Sequence, residues 1–254
     1  IVTGDLLAKG AEYKLSVACA VGDEERVAQI LRDDPDAANR LNSTRASELG
    51  YAAGSGHLNI VNLLLSHGAD YVTAHSLADG TELWRCGGMN PRDSYNPSLR
   101  FVASPVAIPG LIVVPSAKNG PVLGLSPDAA GDISDTDQGH VWTRPRGTPD
   151  VPSPLVHDGL VYLCRENGNL IAMDAQTGEE LYDETTHRHR HRASPVYADG
   201  KLYLTARDGV VTVVKAGRTF EILASNELGE TVSSSPVVSN GTVYFRTYDA
   251  LWAV

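Results

Sequence analysis

Up to about residue 72 the apolar positions recur with helical spacing; beyond it they alternate, and turn-forming pairs interrupt them every few residues. In YKLSVACAVGD, Leu15, Ala18, Cys19 and Ala20 predict one short helix. In EERVAQILRDD, Val27, Ile30 and Leu31 stand at i, i+3 and i+4 of a second. The turn-rich DPDAANRLN breaks the pattern, which returns in ASELGYAAGSGHLNIVNLLLSHGAD. There Leu49, Ala52 and Ala53 predict another short helix and 54–56 a tight turn. Leu58, Ile60, Val61, Leu64 and Leu65 predict the next helix, with Gly68 just past its end, where a left-handed cap favours glycine.

The second half is built from copies of one unit. Its anchors are Ser-Pro pairs at Ser104, Ser153, Ser194 and Ser235, separated by 49, 41 and 41 residues. A short strand follows each of the last three anchors (Leu155-Val156, Val196-Tyr197, Val237-Val238). Asp158-Gly159, Asp199-Gly200 or Asn240-Gly241 comes next, and such pairs tolerate the positive φ of a tight hairpin. An alternating strand (LVYLC, KLYLT, TVYFR) leads to a second turn at Asn167-Gly168 or Asp208-Gly209, then to a third strand (NLIAMD, VVTVVK). The unit after Pro152 adds a fourth, EELYD. A repeated four-stranded antiparallel unit of about 40 residues is the signature of β-propeller blades. AHSLADGTELWRC predicts the closing strand region of a further blade, and the last unit stops after its third strand. Two architectures follow: a ring of four blades whose last blade is completed by the first strand region, or an open arc.

Two families are resembled. Gly56-His57-Leu58, Ile60-Val61, Leu64-Leu65 and Gly68-Ala69-Asp70 stand as in the ankyrin repeat, with a looser copy upstream at Gly22-Asp23, Val27, Ile30-Leu31 and Asp34-Pro35. In that family His57 is structural. About two repeats are present where roughly three are needed to bury a core by stacking. Ala172, Asp174, Thr177 and Gly178, with Tyr182 in the usual Trp place, resemble the A-x-D-x-x-T-G-x-x-x-W corner of the pyrroloquinoline-quinone-like (PQQ-like) repeat. Ala74, Gly80 and Trp84 keep a degenerate copy. The implied fold is two-part, α then all-β: a short ankyrin helical stack over 1–72, then a PQQ-like β-propeller of about four blade-equivalents over 73–254.

The propeller resemblance implies one of two functions. Quinoprotein dehydrogenases of this kind hold PQQ on a Trp floor beneath a disulfide between adjacent cysteines. They coordinate Ca²⁺ with carboxylate and amide oxygens and use an Asp base. Here Cys19, Cys86 and Cys164 are far apart, and Trp84, at a blade corner, is expected to pack between blades. The expected function is therefore a non-catalytic scaffold that binds other proteins, as relatives lacking the catalytic set do in outer-membrane protein assembly, with no cofactor. The alternative is a PQQ- and Ca²⁺-dependent dehydrogenase or its remnant.

Charge and composition narrow the partners. A formal charge of -10 argues against nucleic acid, and no apolar run is long enough for a membrane span. IVTGDLLAKG shows no signal-peptide pattern. Ankyrin units are mostly intracellular and quinone-repeat propellers mostly exported, and the larger propeller tips the expectation to an exported or periplasmic setting. Three widely spaced cysteines predict unpaired thiols. DAAGDISDTDQG is acidic but lacks EF-hand spacing, so a flexible insertion is expected there.

The candidate site is His187, Arg188, His189, Arg190, His191 and Arg192, in the connector between one blade's fourth strand and the next blade's first. Extended backbone would put the three His in one row and the three Arg in the other, with successive His about 7 Å apart. Two neighbouring His can converge on a metal, but a third needs a bend. Three readings follow: a Zn²⁺, Cu²⁺ or Ni²⁺ site completed by Asp183 or Glu184, a basic mouth whose Arg forks take an anionic ligand, or a solvated connector.

Overall fold

The computed structural model describes residues 14–34, 37, 71–90 and 101–254. The chain divides into two compact units, one of Ile1–Tyr71 with Asn90–Pro97 and one of Val72–Met89 with Ser98–Val254.

The first unit shows the two expected helices, α1 (Leu15–Val21) and α2 (Glu24–Asp33). Gly22 closes α1 with φ 81°, the left-handed conformation that ends helices. Asp23 then caps α2, its carboxylate accepting from the Arg26 N–H at 3.0 Å. Leu15, Ala18, Cys19, Val27 and Leu31 are buried. The ankyrin-like motif at 56–70 lies outside the described residues.

The second unit is a succession of antiparallel sheets. Strands β1 (Val72–His75) and β2 (Glu82–Cys86) form a hairpin. Three four-stranded sheets follow: β3 (Val106–Ile108), β4 (Leu111–Pro115), β5 (Val122–Leu125) and β7 (His140–Arg144); β8 (Leu155–His157), β9 (Leu160–Cys164), β10 (Asn169–Asp174) and β11 (Glu180–Thr185); β12 (Val196–Ala198), β13 (Lys201–Thr205), β14 (Val210–Lys215) and β15 (Ile222–Glu227). The last sheet has three strands, β16 (Val237–Ser239), β17 (Thr242–Arg246) and β18 (Leu251–Ala253). The first turns carry the expected backbone: Asp158, Asp199 and Asn240 have φ of 47°, 47° and 50°, and the glycine after each is also positive.

Each Ser-Pro anchor is a rung between blades. The Ser104 N–H donates to Ser153 Oγ at 3.0 Å, the Ser153 N–H to Ser194 Oγ at 2.9 Å and the Ser194 N–H to Ser235 Oγ at 2.9 Å. The repeat interval in the sequence is therefore the interval between bonded serines. Side chains between blades interdigitate by alternation. From β9 and β10, Val161, Leu163, Ile171 and Met173 pack back on Leu111, Val113, Val122 and Trp142. Leu160, Tyr162, Cys164, Leu170 and Ala172 pack forward on Leu202, Leu204 and Val214. Period-two strands covered on both faces become buried throughout, as all five residues of β9 are.

One device recurs that the sequence pattern does not announce. The third and fourth strands of four sheets slip register at the same place, just after Ala74, Gly124, Ala172 or Val213. The residue opposite is Trp84, Trp142, Tyr182 or Ala224, so in three of the four an aromatic stands across from a small residue. The Trp84 Nε1–H donates to the Pro127 carbonyl at 3.4 Å and the Trp142 Nε1–H to the Ala175 carbonyl at 2.9 Å, both in the following blade. Trp84 is buried among Cys86, Met89, Val114, Leu125 and Ile133, as blade packing requires. The corner after Tyr182's partner strand is an Asx turn: Asp174 Oδ1 accepts from the N–H groups of Gln176 and Thr177 at 3.0 and 3.2 Å.

One expectation needs correction. The acidic stretch 128–139 is not a loose insertion: it holds a short strand, β6 (Gly131–Asp132), paired parallel to β2, and drives Ile133 into the core at 1% exposure. One apolar side chain, with the Ile133 N–H donating to the Arg85 carbonyl at 2.9 Å, anchors an otherwise polar segment. Of the two architectures left open by the sequence, the ring-closing one is absent among the described residues. Strands β1 and β2 lie in a sheet with β6, and β18 pairs only with β17. The first strand region brings a third-type strand, β1, as well as a fourth-type one, so β1 and β18 would claim the same place in a blade. The described sheets form an open, propeller-like array.

Candidate functional site

The connector from β11 to β12 is not extended, so the predicted rows of His and Arg do not form. The His189 N–H donates to the His187 carbonyl at 2.8 Å, a tight turn that brings both rings to the same side. Their rings stack with centroids 6.0 Å apart. Both face Asp208 in the β13–β14 turn: His187 Nε2 lies 2.8 Å from Oδ2 and His189 Nδ1 lies 3.7 Å from Oδ1. Burial works to raise the Asp208 carboxyl. The hydrogen bonds from His187 and the Val210 N–H, with the charges of both imidazoles, pull it below the ordinary carboxylate value.

His191 leaves the row. It is fully buried, bridges to Ala206, and its N–H donates to the Glu166 carbonyl at 2.9 Å. Its Nδ1 lies 2.9 Å from the His189 carbonyl, which can only accept, so Nδ1 carries the proton. Nε2 is then a bare acceptor, buried and without a hydrogen-bond partner. Burial lowers the His191 pKa and the bond to His189 opposes it, which favours the neutral ring at neutral pH. The Gly168 backbone passes so close that a Cβ there would lie 1.9 Å from the His187 carbonyl oxygen.

The arginines divide as well. Arg188 and Arg190 line an open cleft of about 660 Å³ with Lys118, Asp150, Arg165 and His189, whereas the Arg192 Nε is buried without a hydrogen-bond partner. Glu166, at the β9–β10 turn, is held by Arg190 Nε at 2.9 Å and by the Lys118 ammonium. Arg165 Nη2 donates to Asn119 Oδ1 at 2.9 Å. Arg188 has no side-chain partner among the described residues and is exposed. The sequence singled out 187–192. It missed Lys118, Arg165 and Glu166, which come from turns of two blades; their only signal is that each follows the second strand of its sheet.

Trp84 and Trp142 are buried and tied to neighbouring carbonyls, so neither offers a free indole face, whereas Trp252 is 38% exposed. Cys19, Cys86 and Cys164 are separate buried thiols, and burial pushes Cys164 up to about 12. Among the described residues, no three or more His, Cys, Asp or Glu side chains are grouped to hold a metal.

Residues 68–254 match the family model described as outer membrane protein assembly factor BamB. No curated protein matches the chain. Two solved structures share the fold. The computationally designed Ika4 protein has 16% identity and a TM-score of 0.53, over 69% of this chain and 99% of that one. The designed Ika8 protein has 16% identity and a TM-score of 0.54, over 72% of this chain and 52% of that one. BamB from Moraxella catarrhalis aligns at 16% identity over 73% of this chain and 66% of its own, with a TM-score of 0.43.

Proposed function

Since the chain belongs, through residues 68–254, to the family of outer membrane protein assembly factor BamB, we propose that its sheet unit is a non-catalytic scaffold that binds other proteins, in an exported setting. The supporting observation is the cleft beside the 187–190 turn. Four cationic side chains reach it, two of them are fixed by Glu166, and Arg188 is left unpaired at its rim. Guanidinium forks match carboxylates in geometry and charge, so the partner surface that fits is an acidic segment. No described helix is long and apolar enough to cross a membrane.

The test is fluorescence anisotropy with a labelled hexamer of alternating Asp and Glu against a neutral Ser/Gly hexamer. The acidic probe should bind more tightly, lose affinity with rising salt as exposed ion pairs do, and weaken about tenfold with Arg165→Ala and Arg188→Ala together, the loss of roughly two exposed or half-exposed charge pairs. Equal binding of the two probes, or an unaffected double variant, would sink the cleft reading. PQQ titrated with Ca²⁺ present, followed by Trp quenching and quinone absorbance, should give no saturation. Saturation at one equivalent would favour the dehydrogenase instead.

A further inference from the structure

On the reading of the cleft as a site for acidic segments, we propose that His187 and His189 regulate it by pH: when both rings are protonated against Asp208, the turn that presents Arg188 is fixed and an acidic segment is held more tightly.

The two rings meet one carboxylate in different ways. Asp208 as a carboxylate can only accept, so His187 Nε2, 2.8 Å from Oδ2, carries a proton in either charge state of the ring. His189 Nδ1 lies 3.7 Å from Oδ1, beyond hydrogen-bond reach. A neutral His189 ring therefore gains little by facing Asp208, whereas a charged one is attracted to it. The side chains of His187, His189 and Asp208 are 33%, 44% and 33% exposed, so protons reach all three from solvent. Burial works to raise the Asp208 carboxyl. The bonds from His187 and the Val210 N–H, with the imidazole charges, nevertheless hold it below the ordinary carboxylate value.

The charge at the cleft rim reverses as the rings titrate. With both rings neutral the trio carries one negative charge; with both protonated it carries one positive charge. His189 lines the cleft beside Arg188 and Arg190. The third imidazole of the connector, His191, has a pKa lowered by burial against the bond to His189, which favours its neutral ring. From the β13–β14 turn, Arg207 precedes Asp208, and its N–H donates to the Arg190 carbonyl at 2.8 Å. The β9–β10 turn contributes Arg165 and Glu166, the β4–β5 turn Lys118 and the β7–β8 connector Asp150. Arginine, lysine and carboxylate side chains ordinarily keep their charge between about pH 6 and 8, where imidazoles change theirs. The response in that window falls to His187 and His189.

The same rings hold the turn. On the His187 side the backbone is already fixed: the His187 carbonyl accepts from the His189 N–H, and the Gly168 backbone passes so close that a Cβ there would lie 1.9 Å from its oxygen. On the His189 side the side-chain tie to the neighbouring turn is the charge attraction to Asp208. Protonation therefore anchors both rings, with Arg188 between them.

The acidic Asp/Glu hexamer, labelled at its N-terminus, supplies the probe. Its affinity in anisotropy should rise about tenfold from pH 8 to pH 6 at low salt, as two added half-exposed charges predict, and the rise should shrink at high salt. His187→Gln with His189→Gln should flatten the profile, whereas His157→Gln, outside the cleft lining, should leave the rise intact. Because affinity and protonation are reciprocally linked, probe binding at pH 7 should take up protons, read as a calorimetric heat that varies with the ionisation enthalpy of the buffer. Probe binding with a flat profile, or without proton uptake, would overturn the switch and leave the acidic-segment reading standing. A rise that survives in the double variant would overturn it as well. If circular dichroism shows that variant misfolded, proton uptake by the unaltered chain decides. No binding of the acidic probe at any pH would sink both the switch and the reading it rests on.

Discussion

Gly124→Ala is a severe test of how the blades lock. Gly124 lacks a left-handed φ, so its backbone would accept alanine; the obstacle is the Trp142 ring. A Cβ at Gly124 would lie 2.3 Å from Trp142 Cε2 and 2.7 Å from Nε1. The ring cannot retreat, because a Cβ at Gly178, on the next blade, would lie 2.7 Å from its Cγ, and its Nε1–H is committed to the Ala175 carbonyl at 2.9 Å. Overpacking a filled site costs about 1–3 kcal/mol. Stretching the indole bond adds about 1 kcal/mol, and the stiffer unfolded chain returns roughly 0.5 kcal/mol. A net loss of about 2–3 kcal/mol should lower the melting temperature of the sheet unit by roughly 5–10 °C. Thermal and urea unfolding by far-ultraviolet circular dichroism measures it. The next blade carries Ala172 across from Tyr182 without conflict, so Trp142→Tyr in the Gly124→Ala background should recover stability. A double-mutant cycle should then show coupling of about 1 kcal/mol or more. A neutral Gly124→Ala, or additive effects of the two changes, would refute the clamp.

Ser153→Ala and Ser194→Ala each leave a backbone N–H without its rung, and each should cost about 1 kcal/mol by urea midpoint; a smaller effect than that of an exposed serine would show that the rungs are incidental. Asp174→Ala removes the acceptor of the Asx turn and should lower the urea midpoint, read in the same way. His191 has a folded pKa depressed by burial, so below its unfolded value, near 6.5, the unfolded chain binds the extra proton. Its contribution to stability is whole above that value and is lost as the pH falls toward the lower folded one. His191→Phe should flatten the pH dependence of the urea midpoint in that window, and an unchanged slope would place the titration elsewhere.

Much of the sheet unit was legible in the sequence because its signals are local. Asp158-Gly159, Asp199-Gly200 and Asn240-Gly241 need only their own backbone to make a hairpin, and all three have the positive φ that those residue types tolerate. The Ser-Pro spacing gave the repeat, although the reason for the serine, an Oγ for the previous blade's N–H, needs two blades to exist. The register slip after Ala172 was invisible for the opposite reason. It is defined by a partner strand, and its only trace is the distant pairing of a small residue with an aromatic.

The connector at 187–192 shows why alternation in sequence does not fix alternation in space. A strict HRHRHR pattern assumes a strand, and a strand needs a neighbour to take every second N–H and C=O. Past Thr186, whose N–H goes to the Gly168 carbonyl at 2.9 Å, strand-like pairing among the described residues is reduced to one bridge, His191 with Ala206. What lies within reach is the β13–β14 turn with its Asp208 carboxylate and the β9–β10 turn with its Glu166 carbonyl. His187 and His189 turn together to the first, and His191 is drawn under the second. The same turn leaves Arg188 exposed in the cleft, where Glu166 is already neutralised by Arg190 and Lys118. The unpaired cation is thus a product of the bend, and a substitution that straightened the connector would remove the cleft's charge without touching an arginine. Asp208→Ala is such a change: it should weaken the acidic probe by a few-fold although it deletes a negative charge 19–21 residues from the turn in sequence. Simple charge addition predicts tighter binding, so the sign of the change in anisotropy midpoint separates geometry from net charge.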